Sequence, residues 1–367
     1  MDKIDKSVVD MMRAQQNKFD GKLVSILGVQ ESATALVRVR NPLHLSMLER
    51  NFEVTSSYPF IRSVGIKCAL KDAIRLERMQ EVEYVSAQSK VFALGGEEGG
   101  AASAFSLQTD LDGADVTVCI MDTGVSPHSD LSIPRERIVH FKDVIDGCDT
   151  PYDDNGHGTF VAGVACGNGT LSGGKICGVA PRSNVLGLKV IGSDGESGAF
   201  KILDGMQWLF DNFRQYGVRV VCMSFGAEPQ SYADPLKIGA EMLARSGLIV
   251  VAASGNSGEN ALKSPAISNE IIAVGAVDSN NNLAPFTSRG TYQGAYRPDV
   301  FADGVNVSGI TAGGTYSSMT GTSAAAPYVA GACCLLCQKY RNLTPRQAKR
   351  AIISNSKTVD GKTVFRL

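Results

Sequence analysis

Five short segments, 116–121, 185–190, 218–223, 248–253 and 271–277, constrain the fold of this chain more than any other feature. Each is an almost unbroken apolar run rich in valine, isoleucine or alanine. A strand with one face in water alternates apolar and polar residues; a strand covered on both faces does not. These runs therefore predict a mainly parallel sheet held between two layers of other structure. Helix-compatible patterns over 157–165, 199–216, 233–246, 323–340 and 345–354 supply those layers, so the expected architecture is a three-layer α/β/α sandwich. With 367 residues, 44% of them hydrophobic and 20% charged, the chain has room for one large domain and one small one.

The small domain precedes a break in composition. Glycine, acidic and alanine residues fill the stretch after Leu94, and residues 95–106 are predicted as a flexible linker or a new N-terminus between 1–94 and 107–367. Before it, the pattern reads strand 34–40, helix 42–51, extended segments 53–57 and 61–68, helix 71–80 and strand 82–92. That β-α-β-β-α-β order predicts a ferredoxin-like α+β unit. The opening residues Met1-Asp2-Lys3-Ile4-Asp5-Lys6 lead into a polar, helix-like stretch without the apolar core of a signal peptide. The nine cysteines fall mostly in apolar runs, among them Cys119, Cys166, Cys222, Cys333 and Cys334, and read as small hydrophobes. Cys334 and Cys337 have CxxC spacing on a helix face that reads as buried, not as a metal or redox site. Unpaired thiols and no export signal point to a cytoplasmic setting, or a secreted one if a signal has been trimmed. A net charge of −1 gives no electrostatic basis for binding nucleic acid or an anionic membrane. No apolar run approaches the roughly 20 residues that span a bilayer.

Chemistry enters at the ends of the apolar elements. Asp122 closes the run in Cys119-Ile120-Met121-Asp122-Thr123-Gly124, His157 opens a helix in Asn155-Gly156-His157-Gly158-Thr159, and Ser323 begins another in Gly321-Thr322-Ser323-Ala324-Ala325-Ala326-Pro327. Pro327 is expected within that helix's first turn, where a missing N–H is tolerated. Taken singly, these residues could be a turn aspartate, a structural histidine and a helix-capping serine. Taken together they are the parts of a nucleophilic acyl-transfer site. A serine hydroxyl attacks poorly until an imidazole removes its proton, and a carboxylate holds the imidazole in the useful tautomer. The chain order Asp, His, Ser separates the set from chymotrypsin-like and α/β-hydrolase sequences.

With Val250-Val251-Ala252-Ala253-Ser254-Gly255-Asn256 as a fourth marker, the chain resembles the subtilisin-like serine proteases, or subtilases, over nearly its whole length. The resemblance implies that Asp122 orients His157, that His157 is the general base and that Ser323 is the nucleophile. Asn256 would donate to the oxyanion together with the Ser323 backbone N–H. It further implies peptide-binding edges at Ser224, Phe225 and Gly226 and at Gly195 and Gly198, with Phe200 in a distal apolar pocket and Ala253, Ser254 and Gly255 walling the primary one. Residues 1–94 look like a subtilase propeptide, both chaperone and inhibitor. Its tail would lie in its own active site, with Leu94 in the primary pocket, Val91 in the pocket three residues upstream, and self-cleavage at Leu94–Gly95. Large apolar residues before the cut are expected from Leu94. The chemistry implied needs no cofactor. Structural calcium is common in the family and Asp130 stands where a ligand would fall, although the glycine-rich segment 166–175 departs from the prototype loop and Phe160 replaces a usual histidine. Expected partners are peptide or protein substrates and the chain's own propeptide. A silent pseudoprotease that binds peptides is the competing reading, which the intact triad disfavours; peptide ligation by the same acyl-enzyme is chemically allowed.

Overall fold

The computed structural model describes residues 33–95, 110–230 and 233–367. The opening stretch, and most of the expected linker, lie outside the described residues. In the N-terminal unit, β1 (Ala33–Val39), α1 (Leu45–Asn51), β2 (Val54–Tyr58), β3 (Ser63–Cys68), α2 (Leu70–Arg78) and β4 (Val82–Ala87) follow the predicted order. The strands form an antiparallel sheet in the order β2-β3-β1-β4, the ferredoxin-like arrangement. Successive residues of β1 point to opposite faces. Ala35, Val37 and Val39 pack with Leu45, Leu48 and Leu76 of the unit's own helices. Leu36 instead joins Tyr58, Phe60 and Ile61 in a cluster shared with the larger domain.

One expectation is corrected here. The single strand predicted over 82–92 is two, β4 and then β5 (Lys90–Ala93). Exposed Gln88 and half-buried Ser89 interrupt the run, and larger-domain groups take up the freed backbone: Gln230 Nε2 donates to Ala87 O at 3.1 Å and Ala199 N to Ser89 O at 2.9 Å. The chain is thereby passed from its own sheet to another.

The apolar runs form the centre of the larger domain. Its elements are β6 (Thr117–Asp122), β7 (Ile138–Asp143), α3 (His157–Cys166), β8 (Asn184–Lys189), β9 (Glu196–Gly198), α4 (Ala199–Asn212), β10 (Val218–Met223), β11 (Phe225–Ala227), α5 (Pro235–Arg245), β12 (Ile249–Ala253) and β13 (Ile272–Val277). After these come β14 (Val300–Asp303), the hairpin β15 (Val307–Ile310) and β16 (Tyr316–Met319), α6 (Thr322–Lys339), α7 (Pro345–Ser354), and β17 (Lys357–Val359) with β18 (Lys362–Val364). The main sheet runs β17-β18-β14-β13-β12-β10-β6-β8-β7, parallel except at β17.

Alternation explains the continuous runs. Val118, Ile120, Val251 and Ala253 face a core shared with α3 and α6, while Cys119, Met121, Val250 and Ala252 face one shared with α4 and α5. The order of connection reverses between β6 and β10. Open parallel sheets place their ligands at such a switch point, beyond the carboxyl ends of the strands. Asp122, Ser224 and Ser254 all lie there.

Candidate active site

Asp122 is the buried last residue of β6; its Oδ1 accepts from Thr123 N at 2.7 Å and from His157 Nδ1 at 2.7 Å. That bond fixes the proton on Nδ1 and leaves Nε2 as the basic nitrogen. His157 reaches Asp122 because α3 begins there. Gly156, just before it, has φ 98°, which a side chain would resist. Asp153, missed in the sequence reading, holds the corner. Its Oδ1 accepts from Thr123 Oγ1, Asn155 N and Gly156 N at 2.9, 3.2 and 2.8 Å, and its Oδ2 from Thr159 N and Oγ1 at 2.8 and 2.7 Å. An Asp-Asp-Asn-Gly run before a helix is a recognisable N-terminal signature and could have flagged it. Burial alone would push the His157 pKa down. The Asp122 carboxylate, by charge and by hydrogen bond, outweighs burial, and with a smaller push from Asp153 the imidazolium is held above its ordinary value.

Ser323 is the second residue of α6, and its Oγ donates to Leu94 O at 2.6 Å. Asn256 Nδ2 donates to the same oxygen at 2.7 Å. Thr322, also missed in sequence, aims the amide by donating to Asn256 Oδ1 from its N and Oγ1 at 2.9 and 2.8 Å. Among the described hydrogen bonds, the second donor to the Leu94 carbonyl is the Ser323 hydroxyl. One expectation fails on geometry. Pro327 lies inside α6, beyond its first turn, so the Ser323 carbonyl has no partner one turn on. Ser224 Oγ donates to it instead, at 3.2 Å.

The far side of the Leu94–Gly95 bond meets the imidazole. A Cβ built on Gly95 would stand 3.0 Å from His157 Cδ2 and 3.5 Å from Nε2. Nε2 itself is buried without a hydrogen-bond partner. The Leu94–Gly95 bond thus lies between the hydroxyl and the ring, with Ser323 Oγ hydrogen-bonded to the carbonyl oxygen and not to Nε2.

Upstream of Leu94, β5 is the middle strand of a three-stranded antiparallel sheet, between β11 and β9. Phe225 and Gly226 pair with Ala93 and Phe92, Gly198 pairs with Lys90, Ala93 N donates to Gly195 O and Leu94 N to Ser224 O, both at 3.0 Å. Alternate side chains are buried, as strand geometry requires. Val91 joins Phe200 in one apolar cluster, Leu94 is buried beside Ala253, and Phe92 is exposed. Ser254 is buried in the same wall, and Gly255 N donates to Thr322 Oγ1 at 3.3 Å.

Asp130 does not fit a calcium ligand. Its buried carboxylate accepts from Leu171 N and Tyr316 OH, each at 2.8 Å, and its carbonyl accepts from the buried Arg137 guanidinium. Calcium requires six to eight free oxygens, whereas these face protons and a cation. Among the described residues no group of three or more His, Cys, Asp or Glu side chains could hold a metal ion.

Residues 113–367 match the family model described as subtilase family. The chain is 35% identical over 273 residues to serine protease AprX of Bacillus subtilis strain 168, covering 66% of this chain and 61% of AprX. It is 38% identical over 249 residues to subtilisin DY of Bacillus licheniformis, covering 66% and 84% of the two chains. A crystal structure of a cold-adapted subtilisin-like serine proteinase superposes with a TM-score of 0.60 at 27% identity, over 72% of this chain and 94% of that one. The matched domain carries the Asp122, His157, Ser323 and Asn256 constellation, and the chain belongs to the subtilase family of subtilisin-like serine proteases.

Proposed function

We propose that this protein is a serine endopeptidase made as a precursor, whose first substrate is its own Leu94–Gly95 bond. The observation that carries the reading is the Leu94 carbonyl between Asn256 Nδ2 and Ser323 Oγ, with Gly95 beside the His157 ring. Ser323 Oγ attacks the carbonyl carbon as His157 Nε2 takes the hydroxyl proton, and Asp122 stabilises the imidazolium. Charge gathers on the carbonyl oxygen, where the Asn256 amide is aimed. The C–N bond then breaks, the proton passes from His157 to the Gly95 amine, and water releases the acyl group from Ser323. Residues 1–94 stay as an inhibitor, held by β5 between β9 and β11. Later substrates are extended peptides taking the same place, with a large apolar residue before the cut.

All nine cysteines are free thiols, which supports a reducing compartment. Burial pushes Cys68 and Cys166 up to about 12 and Cys337 up to about 11, so these act as apolar filling and not as thiolates. No described helix is long and apolar enough to cross a membrane.

A serine-reactive fluorophosphonate is the direct test. Labelling of the processed protein that disappears in Ser323→Ala supports the reading. A processed wild type that takes no label would leave a peptide-binding protein without catalysis.

A further inference from the structure

The pocket that receives Leu94 contains a charge for which the mechanism has no use. Lys263 lies on the segment that closes this pocket: its N–H donates to Ser254 O at 3.0 Å, while Ser264 and Ala227 exchange N–H···O bonds of 2.9 and 3.0 Å. A Cβ built on Gly226 would stand 2.6 and 3.2 Å from Lys263 Cβ and Cγ and 3.2 Å from Leu94 Cδ1. One built on Gly255 would stand 2.6 Å from Lys263 Cγ. The lysine stem therefore crosses two bare glycines, and the Leu94 side chain meets it over the first.

Lys263 is far less exposed than its partner. Only 12% of its side chain is accessible, and its ammonium pairs with Glu228, whose side chain is 80% accessible. A poorly hydrated cation is thus fixed to the wall while its counter-ion is solvated and displaceable. Lysine commonly runs an apolar stem along a surface and keeps its charge at the rim.

We propose that Lys263 sets the charge selectivity of the pocket for the residue before the cut. Leucine lies along the methylene stem, glutamate is admitted by replacing Glu228 as the partner of the ammonium, and lysine and arginine are rejected by like charge. The inference rests on the reading of Leu94 as the occupant of this pocket. Specificity built from a repulsive element as well as an attractive one is a general device of selective sites.

The test uses quenched peptides Val-Phe-Ala-X-Gly, with X as Leu, Gln, Glu or Lys, and the self-processed full-length product. The expected order of kcat/KM is Leu first, with Glu above Lys by about tenfold at low salt, a gap that shrinks near 1 M salt, where screening acts within about 3 Å. Lys263→Glu inverts the Glu-to-Lys ratio, both rates being read within the variant, and Glu228→Gln raises cleavage after Glu several-fold. Lys263→Met keeps the apolar stem and removes the charge; it brings Glu below Gln, and it serves if the glutamate variant misfolds. An unchanged Glu-to-Lys ratio in either Lys263 variant, with Leu still cut, overturns the proposal and leaves the protease reading intact. Labelled Ser323 without cleavage after X in any peptide overturns the placement of Leu94, and the proposal with it.

Discussion

In the proposed reaction His157 is the general base, and its environment gives that reaction a pH signature. The folded pKa lies above the ordinary value, about 6.5, because the Asp122 carboxylate outweighs burial. A raised value means that the fold binds the proton more tightly than the unfolded chain. The pair therefore contributes fully to stability below about pH 6.5, and that contribution fades as pH rises through the folded value. Catalysis has the opposite need, a neutral imidazole, so the acid limb of kcat/KM should lie above about 6.5. Asp122→Asn should move that limb down and lower kcat by about 10⁴, the scale known for this change in a serine protease triad; a pH–rate profile on both proteins checks it. Asn256→Ala should cost about 10²–10³ in kcat with little change in KM, the loss that removal of this donor causes in subtilisin itself. At this scale Asp122, His157, Ser323 and Asn256 stood out by their motifs, and the fold brings Asp122 to His157 and both Ser323 Oγ and Asn256 Nδ2 to the Leu94 carbonyl. Thr322 and Lys263 were not legible, because their partners Asn256 and Glu228 lie far away in sequence and only the fold brings them near; Asp153 bonds mostly to residues within six positions, and its run before a helix could have flagged it.

Among the elements, the strands buried on both faces were the most legible, since covering both faces leaves an unmistakable apolar run. Less legible were β14, the β15–β16 hairpin and the break between β4 and β5. That break depends on a competing sheet edge, supplied by β9 and β11, which local sequence does not contain. β5 gains backbone hydrogen bonds on both sides, each worth about 0.5–1.5 kcal/mol net, so pairing holds the tail without any single dominant contact. Helix α6 shows a second compensation. Pro327 strips a partner from the Ser323 carbonyl and Ser224 replaces it. Ser224→Ala should therefore lower stability by about 1–3 kcal/mol, the cost of a buried acceptor left unpaired, read from urea unfolding in the Ser323→Ala background.

For the whole molecule, the N-terminal unit does more than deliver a tail. Tyr58 OH donates to Phe200 O at 3.1 Å, Phe60 N to Gln207 Oε1 at 3.2 Å, and the Phe60 ring lies 5.6 Å from that of Phe210. The sheet of one unit thus covers α4 of the other, which explains why Leu36 and Phe60 are buried although neither belongs to the unit's own core. Phe60→Ala should weaken retention of the cleaved N-terminal fragment by about 10–100-fold, as removing an aromatic anchor does, seen as activity recovered at lower dilution. Everything depends on the bond held between Ser323 and His157 being the enzyme's own substrate. Intact-mass analysis of purified wild type beside Ser323→Ala tests this most directly. The account predicts fragments 1–94 and 95–367 from the wild type and an uncut chain from the variant. A variant cut at Leu94–Gly95, or an active wild type that never breaks that bond, would contradict it.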